Sequence, residues 1–237
     1  MIALLDSDIV CYRTAAVTEN NDVGLAIWQA DELIQRILSD VGATDYKCYL
    51  SGDNNFRYSI YPEYKANRRD KPKPRHLEAL REHILVNHPS DVADGIEADD
   101  SLGIASTDHK SNGVGCIIAS LDKDLLQLEG LHYNFVRREI REIGELEGWT
   151  NFYIQLLVGD PADNIPGCPK IGKVKAPKVL EGAIYPGLMY ERCRETYSKA
   201  GVSQEIMNRN AQLLYIKRAE NDEWNPPPVA LEPVPQS

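Results

Sequence analysis

Short apolar runs that lead to an acidic residue recur along the chain, and this pattern constrains the fold more than any other. Residues 1–5 are apolar and lead to Asp6, and residues 115–120 form a β-branched stretch that leads to Asp122. Residues 46–50 have the composition of a further strand. Because helical stretches separate these runs, the pattern predicts a parallel α/β sheet with acidic side chains at the carboxyl ends of its strands.

Helical periodicity occupies the intervals between the predicted strands. Apolar residues repeat with helical spacing over residues 27–41, and Gly42 follows where a C-cap glycine is expected. Two prolines in the next interval forbid a continuous helix, so we predict a helix there only from about Arg75. Another helix is predicted to begin at the EADD string of residues 97–100, and the pattern is helical again beyond Phe152.

The charges of the chain are segregated. A net charge of −10 by itself argues against a nucleic-acid partner. However, residues 64–81 carry seven basic and two acidic residues, and residues 170–178 carry four lysines and no acid. Basic segments of this kind can bind a phosphate backbone, so a nucleic-acid partner remains compatible with the composition.

The cysteines and the N-terminus indicate the compartment. Five cysteines are scattered without a CxxC pair, which argues against a disulfide framework and against a zinc site. The first residues, MIALLDSDIV, contain no basic leader, and no apolar stretch approaches the roughly 18 residues that span a bilayer. We therefore expect a soluble cytoplasmic protein that does not associate with a membrane.

Nine acidic residues lie at predicted strand ends or helix starts beside apolar runs. Any one of them could be a turn residue, an N-cap or a first-turn helix acid. Brought together by a sheet, they would repel one another, and their burial is costly unless cations neutralise them. Oxygen ligands in this number suit Mg²⁺ or Mn²⁺, and two such ions favour phosphoryl displacement, which is nuclease chemistry. The nine are Asp6, Asp53, Glu97, Asp99, Asp100, Asp122, Asp124, Asp160 and Asp163.

Four ordered strings in the chain are similar to a known family. They are YPEYKANRR at residues 61–69, GIEADD at 95–100, SLDKDLLQL at 120–128 and GDPADNIPGCPKIGK at 159–173. Over roughly residues 1–180 the chain resembles the 5′-nucleases of bacteriophages and of bacterial DNA polymerase I, the flap endonuclease and 5′–3′ exonuclease family. The resemblance implies a PIN-like 5′-nuclease fold, with a parallel twisted sheet flanked by helices, a short helical arch and a C-terminal helix-hairpin-helix-like element that binds DNA.

The resemblance also implies roles for individual acids and bases. A second metal site would be completed by Asp124, Asp160 and Asp163. Lys65 and Arg68 would contact the scissile phosphate, beside Asp6 and Asp122 as catalytic residues. The implied cofactors are two Mg²⁺ ions, for which Mn²⁺ could substitute. The acids that would build or support the first metal site are Asp6, Asp53, Glu97, Asp99, Asp100 and Asp122.

Further residues are implied to bind DNA. Tyr64 would stack on a base, next to Lys65, Arg68 and Arg69. The hairpin-like element would grip duplex phosphates through backbone N–H groups and lysine side chains, and could hold a monovalent cation. Its contacting residues would be Gly167, Lys170, Gly172, Lys173, Lys175 and Lys178.

We predict three regions. Residues 1–160 would form the α/β 5′-nuclease catalytic domain, including the basic arch segment 61–90, and residues 161–222 would form the helical DNA-binding region. Residues 223–237 would form a proline-rich tail that is disordered or extended. The arch segment is short and contains two prolines, so the sequence leaves open whether it threads a free 5′ end. The expected partner of this monomer is DNA with a single-strand/double-strand junction or a 5′ end.

Three other functions are compatible with parts of the sequence. The strings LLDSD at residues 4–8, IIAS at 117–120 and GDPAD at 159–163 imitate a haloacid-dehalogenase-type phosphatase, in which Asp6 is a covalent nucleophile and Asp8 the general acid and base. That function leaves the other acids and both basic segments unexplained. A non-catalytic DNA-binding module would make the acids structural, and an RNA-cleaving nuclease would share the metal site without needing the hairpin-like element.

Overall fold

The computed structural model describes residues 1–69 and 71–228, which fold into two compact units. Both units are discontinuous in sequence, whereas the regions expected from the sequence are contiguous, and those regional boundaries stay a prediction. The sheet unit comprises residues 1–56, 71–143 and 216–222, and the helical unit comprises residues 57–69, 144–215 and 223–228.

A mostly parallel sheet forms the centre of the sheet unit. Its spatial order is β3-β2-β1-β4-β5-β6, and every neighbouring pair is parallel except β5 and β6. This order confirms the predicted fold class and the predicted strands at residues 1–5, 46–50 and 115–120. The strands are β1 Ile2–Asp6, β2 Asp45–Ser51, β3 Ser90–Ala93, β4 Cys116–Ala119, β5 Gly130–Asn134 and β6 Glu139–Ile143.

The described residues contain nine α-helices, of which the first, second, fourth and fifth belong to the sheet unit. They are α1 Ser7–Val17, α2 Val23–Val41, α3 Arg57–Ile60, α4 Leu77–Asn87, α5 Ala98–Ser111, α6 Glu145–Val158, α7 Ala176–Val179, α8 Pro186–Lys199 and α9 Gln204–Leu214. None of these helices is long and apolar enough to cross a membrane.

Alternation along the strands gives the sheet unit two cores. Successive side chains of a strand point to opposite faces, so Leu5 packs with α1, α2 and α4, whereas Leu4 packs on the opposite face with Leu102 of α5. Both leucines are buried, as expected for a parallel sheet covered by helices on both faces. Ile216 joins the second core, so the chain returns to the sheet unit after α9.

Local signals set the helix limits, and the predicted C-cap at Gly42 is confirmed. The Asp22 side chain accepts a hydrogen bond from the N–H of Leu25 and begins α2. Gly42 ends α2 with a φ of 63°, a left-handed conformation that glycine adopts without a steric penalty. Helix α4 begins at Leu77, two residues beyond the predicted start, and α5 begins directly after Glu97.

The helical unit has its own core and one short ribbon. Phe152, Tyr153, Tyr197 and Met207 are buried together, with aromatic contacts between the first two. A ribbon of two-residue strands, β7 Gly159–Asp160 and β8 Ile165–Pro166, follows α6. A Cβ atom on Gly167 would lie 2.2 Å from the carbonyl carbon of Val158, so this close approach of backbones requires glycine.

The predicted helix-hairpin-helix element is not confirmed. Residues 167–175 form turns, and the helix that follows, α7, has only four residues. Pro177 lies in the first turn of α7, where a missing N–H is tolerated, and it would break a helix that began earlier. The lysines of this segment therefore lie on turns and on one short helix.

Two further predicted segments have little regular structure. Between α3 and α4 the described residues form only the 3₁₀ turn Ala66–Arg68, so whether residues 61–90 act as an arch stays a prediction. Residues 223–228 contain no helix or strand, and Trp224 packs into the core of the helical unit. The remaining tail, residues 229–237, lies outside the described residues.

Candidate metal centre and nucleic-acid interface

Asp6 is a buried carboxylic acid at the carboxyl end of β1, with 2 % of its surface exposed. Its side chain caps α1 by accepting the N–H of Ile9 at 3.2 Å, and its second oxygen accepts the hydroxyl of Ser120 at 2.6 Å. Burial raises the pKa of Asp6 to about 7, because desolvation disfavours the charged form more than the two hydrogen bonds favour it. The charges of Asp8 and Asp122 raise this pKa further.

Ser120 connects Asp6 to the acidic loop that follows β4. Its hydroxyl donates to Asp6 and accepts the N–H of Asp122 at 2.9 Å. Asp122 in turn accepts the N–H of Asp124 at 2.8 Å, which fixes the loop between them. Since β1 and β4 are adjacent and parallel, with Leu5 opposite Ala119, the sheet brings Asp6 and Asp122 to the same edge.

Other predicted ligands follow the ends of β2 and β3. Asp53 is exposed in the loop after β2, while Glu97 and Asp99 are partly buried at the start of α5. The carboxyl ends of β1 to β4 therefore present six of the nine acids at one edge of the sheet unit, which we name the carboxylate edge: Asp6, Asp53, Glu97, Asp99, Asp122 and Asp124. Their role as metal ligands stays a prediction.

Asp100 has a structural task that the sequence did not indicate. It is completely buried, and its two oxygens accept separate backbone N–H groups, from Glu97 at 3.1 Å and from Lys217 at 3.1 Å. The first bond caps α5, and the second fixes the segment that follows α9. If Asp100 bound a metal ion, it would have to do so through lone pairs of its carboxylate oxygens that do not accept these two hydrogen bonds.

Asp8 and Arg81 form an ion pair at the same edge. Arg81 binds one oxygen of Asp8 and also donates to the carbonyl of Ser51, while the N–H of Ser51 donates to the other oxygen of Asp8 at 2.8 Å. From the sequence, Arg81 was only one of seven basic residues in the segment 64–81. Its position four residues after the buried Leu77 is the signal that could have placed it toward the sheet.

Asp160 and Asp163 lie in the helical unit. Asp160 accepts the N–H of Ala162 at 2.8 Å. Asp163 forms an ion pair with Arg68, lies 3.7 Å from the Lys65 ammonium, and accepts the hydroxyl of Tyr64 at 3.0 Å. Two cations and one hydroxyl thus surround a carboxylate that the resemblance makes a metal ligand.

Tyr64 does not offer its ring to a base in this structure. Only 1 % of the residue is exposed, and the ring packs in the core of the helical unit, edge to face with Tyr58. Its hydroxyl instead orients Asp163. The structure therefore does not expose the Tyr64 ring for the implied stacking on a base, because the ring fills a buried space.

Some of the remaining basic side chains are hydrogen-bonded to backbone carbonyls, and the lysines of residues 170–178 are exposed. Arg68 also donates to the carbonyl of Ala162, and Arg69 donates to the carbonyl of Pro62 at 2.7 Å. Lys175 donates to the carbonyl of Lys170 at 3.2 Å. The implied phosphate-binding segment nevertheless forms an exposed surface, which we name the lysine surface and which consists of Lys170, Lys173, Lys175 and Lys178.

The two glycines of that segment differ in their surroundings. Gly167 is required by the close approach of Val158, a packing reason that is independent of any phosphate. A Cβ atom on Gly172 would meet nothing within 4 Å, so the backbone there is open to solvent. Of the two implied phosphate contacts, the position of Gly172 is compatible with a ligand that approaches the backbone.

Comparison with known proteins gives a consistent set of relatives. Residues 1–149 match the model of the 5′-3′ exonuclease, N-terminal resolvase-like domain. The chain is 29% identical over 239 residues to a 5′-3′ exonuclease of Buchnera aphidicola, covering 91% of this chain and 79% of that protein. It is 36% identical over 209 residues to DNA polymerase I of Caldicellulosiruptor bescii, covering 76% of this chain but only 24% of the polymerase.

Solved structures share the fold at low sequence identity. The T5 5′-exonuclease with bound zinc has a TM-score of 0.72 and 18% identity, covering 90% of this chain and 88% of that chain. The T5 D15 protein co-crystallised with metal ions has a TM-score of 0.69 and 16% identity over the same shares. These likenesses establish a common fold with proteins whose structures contain divalent metal ions.

Proposed function

Since the chain belongs to the 5′-3′ exonuclease family, we propose that it is a structure-specific 5′-nuclease, a flap endonuclease and 5′–3′ exonuclease. It would hydrolyse DNA phosphodiesters with two divalent ions and leave 5′-phosphate and 3′-hydroxyl ends. The observation that carries this proposal is the carboxylate edge, where acids follow four parallel strands and Asp6 is buried beside Asp122.

The residues of the carboxylate edge fit a divalent cation. A buried carboxyl whose pKa is raised to about 7 is held in an environment that penalises its charge, and a cation would remove that penalty. The available donors are carboxylate oxygens, which Mg²⁺ and Mn²⁺ prefer. Asp6 and Asp122 would hold such an ion, and the hydroxyl of Ser120, which bonds to both residues, would keep them in position. When bound, two ions supply charge stabilisation to the attacking and leaving oxygens.

Lys65 and Arg68 would act on the reacting phosphate. Both side chains now face Asp163, and they lie close together in the helical unit. A cation bound by Asp160 and Asp163 would replace their positive charge at that carboxylate. Lys65 and Arg68 could then neutralise the phosphate oxygens as negative charge develops, which is where electrostatic stabilisation has its largest effect on rate.

The lysine surface would supply affinity that is independent of sequence. Its side chains are exposed and lie on turns and the short helix α7. Phosphate contacts of this kind bind the backbone through release of counterions. The proposed division is therefore chemistry at the carboxylate edge and at Lys65 and Arg68, with duplex binding at the lysine surface.

The phosphatase alternative requires Asp8 to act as a general acid. As a general acid, Asp8 would need to exchange a proton with the substrate, but its two oxygens bind Arg81 and the N–H of Ser51. Asp8→Ala should reduce nuclease activity by no more than about tenfold, whereas loss of a general acid costs about 10²–10⁴-fold. A loss of a thousandfold or so in a folded Asp8→Ala protein would favour the phosphatase.

One cleavage experiment tests the proposed reaction. Labelled flap, nicked and blocked-end duplexes are incubated with the protein in Mg²⁺, Mn²⁺, Ca²⁺ or chelator, and product ends are identified. We expect cleavage with Mg²⁺ and Mn²⁺, binding with little cleavage in Ca²⁺, and 5′-phosphate and 3′-hydroxyl products. Cleavage in chelator, or products with a 3′-phosphate, would contradict the mechanism.

A further inference from the structure

Two histidines and one aspartate converge outside the carboxylate edge, and we name them the histidine cluster: Asp31, His83 and His88. Asp31 lies in α2, His83 lies in α4, and His88 follows the last residue of α4. One oxygen of Asp31, Oδ1, lies 2.8 Å from Nε2 of His83 and 2.9 Å from Nε2 of His88. The three potential donor atoms all lie within 4.8 Å of one another.

From this geometry we propose that the histidine cluster is a binding site for a late first-row divalent metal ion, with Zn²⁺ as the natural ligand. Imidazole nitrogens together with one carboxylate are a donor set for such ions. Two ligand atoms that each lie about 2.1 Å from one ion with tetrahedral geometry are about 3.4 Å apart. The distances of 2.8 Å and 2.9 Å between Asp31 Oδ1 and the two Nε2 atoms are hydrogen-bond lengths, so the side chains would move apart by about half an ångström when an ion replaces the two hydrogen bonds.

The surroundings of the two rings hold them in place. The side chains of His83 and His88 are 16 % and 8 % exposed, while that of Asp31 is 40 % exposed and leaves an approach from solvent. The Tyr46 hydroxyl lies 2.9 Å from Nδ1 of His88. A histidine that binds a metal through Nε2 carries its proton on Nδ1, and a second partner for that N–H fixes the ring. Tyr46 is in position to accept it.

His83 has a comparable partner on the surface. The Asn87 amide nitrogen lies 3.1 Å from Nδ1 of His83 and donates to the His83 carbonyl at 2.9 Å. When Nε2 binds an ion and the proton moves to Nδ1, the exposed Asn87 amide must turn over to present its oxygen.

The histidine cluster lies at the end of the sheet opposite to the carboxylate edge. His88 comes just before β3, and Tyr46 is the second residue of β2, so both lie at the amino ends of their strands. The acids of the carboxylate edge follow the carboxyl ends of the same parallel sheet. The two sites also differ in chemistry, since one offers imidazole nitrogen and the other only carboxylate oxygen.

An ion in the histidine cluster would connect two helices. It would join the middle of α2 to the end of α4, directly before the chain enters β3. Because α4 also carries Arg81, the ion would restrain the helix whose other face contacts Asp8 at the carboxylate edge. We therefore propose that the ion has a structural role. Catalysis would take place at the carboxylate edge, at the opposite end of the sheet.

Calorimetric titration of the untagged full chain with ZnCl₂ tests the site. The buffer contains saturating MgCl₂, so that the carboxylate edge is already filled. The wild type should bind one equivalent of Zn²⁺, and Tyr46→Phe should weaken this binding by about tenfold. His83→Gln, His88→Gln and Asp31→Asn should weaken it more. His109→Gln is the matched control, because His109 lies in α5, outside the cluster, and should leave Zn²⁺ binding unchanged.

Two controls keep the result decisive. Asp31→Asn preserves the size of a half-exposed side chain, so it retains the fold even if a buried histidine variant does not, and circular dichroism checks each protein. Thermal unfolding should show that Zn²⁺ raises the melting temperature of the wild type but not of Asp31→Asn. The proposal is overturned if the wild type binds no Zn²⁺ in Mg²⁺, if the cluster variants bind it equally well, or if only Asp122→Asn abolishes binding.

Discussion

Asp6 in the sheet unit and Asp163 in the helical unit are both predicted metal ligands, but the protein neutralises them in different ways. Asp6 is buried with a hydroxyl and a backbone N–H as partners, and its pKa is raised to about 7. Asp163 keeps Arg68 and Lys65 beside its carboxylate. In the sheet unit, a proton or an added cation must therefore neutralise the carboxylate of Asp6. In the helical unit, basic side chains of the protein neutralise the carboxylate of Asp163.

This difference indicates how each acid would respond to a divalent ion. At Asp6 an ion competes with a proton, so binding depends on pH in the range where that carboxyl titrates. At Asp163 an ion competes with two basic side chains, and its arrival would leave Lys65 and Arg68 available for another anion. The same residue type therefore has a raised pKa in one unit and is paired with two cationic side chains in the other.

The largest expected effect is loss of cleavage on replacement of an acid at the carboxylate edge. Asp122→Asn should lower single-turnover cleavage by roughly a thousandfold, because bound ions supply several kcal/mol of transition-state stabilisation. In chelator the same variant should melt higher than the wild type, since Asn removes a charge beside Asp6 and can still accept the N–H of Asp124. Asp108→Asn, at an exposed acid of α5, is the control. If Asp122→Asn cleaves DNA as fast as the wild type, then Asp122 is not part of the metal centre.

Asp6 should make the metal-free protein less stable as pH rises. Its pKa is about 7 in the folded chain against an ordinary value of 3.8, so the folded chain binds the proton more tightly than the unfolded chain does. The free energy of unfolding should fall between about pH 4 and about pH 7, by an amount on the order of 4 kcal/mol, and level off above. Asp6→Asn should remove this fall, because Asn can also cap α1.

Unfolding of both proteins in chelator across this pH range measures the difference. Saturating Mg²⁺ should restore the stability of the wild type at high pH and have a smaller effect on Asp6→Asn. Asp22→Asn is the matched control, since Asp22 caps α2 from an exposed position. Parallel curves for wild type and Asp6→Asn would show that Asp6 does not retain its proton in the folded chain.

A smaller effect is expected from the bases that face Asp163. Arg68→Ala should slow single-turnover cleavage by about a hundredfold, because in the proposed function its charge would stabilise the reacting phosphate. Duplex affinity should change less than the rate does. Arg137→Ala removes an exposed guanidinium in the turn between β5 and β6 and should leave the rate unchanged. If Arg68→Ala weakens binding as much as it slows cleavage, then Arg68 is a general phosphate contact.

The lysine surface should give the smallest effect for each residue. Lys173→Ala, Lys175→Ala and Lys178→Ala should each lower duplex affinity and reduce the salt dependence of binding by about one unit of slope. The single-turnover rate at saturating DNA should stay unchanged. Lys199→Ala, at an exposed lysine of α8 paired with Glu195, is the control. If the salt dependence of binding is the same in these variants as in the control, then the lysine surface is not part of the DNA interface.

Much of the sheet unit could be predicted because its signals are local. The apolar runs of β1, β2 and β4 and the glycine after α2 depend on neighbouring residues alone, and the structure has them where the sequence predicts. The hairpin-like element was predicted by resemblance, and the structure does not confirm it, because turns precede α7 and α7 has only four residues. A short string that contains glycine, proline and lysine shows where positive charge lies in the chain. It does not specify the backbone conformation that carries this charge.

The sequence by itself determined the class of sheet, the acids that follow its strands and the separation of charges into segments. Periodicity and composition carry that information, because they express which side chains avoid water and which cannot. Only the tertiary structure decided that Tyr64 is buried, that Asp100 binds two backbone N–H groups, and that His83 and His88 meet Asp31. Each of these depends on contacts between residues far apart in the chain, and such contacts exist only after the helices have packed on the sheet.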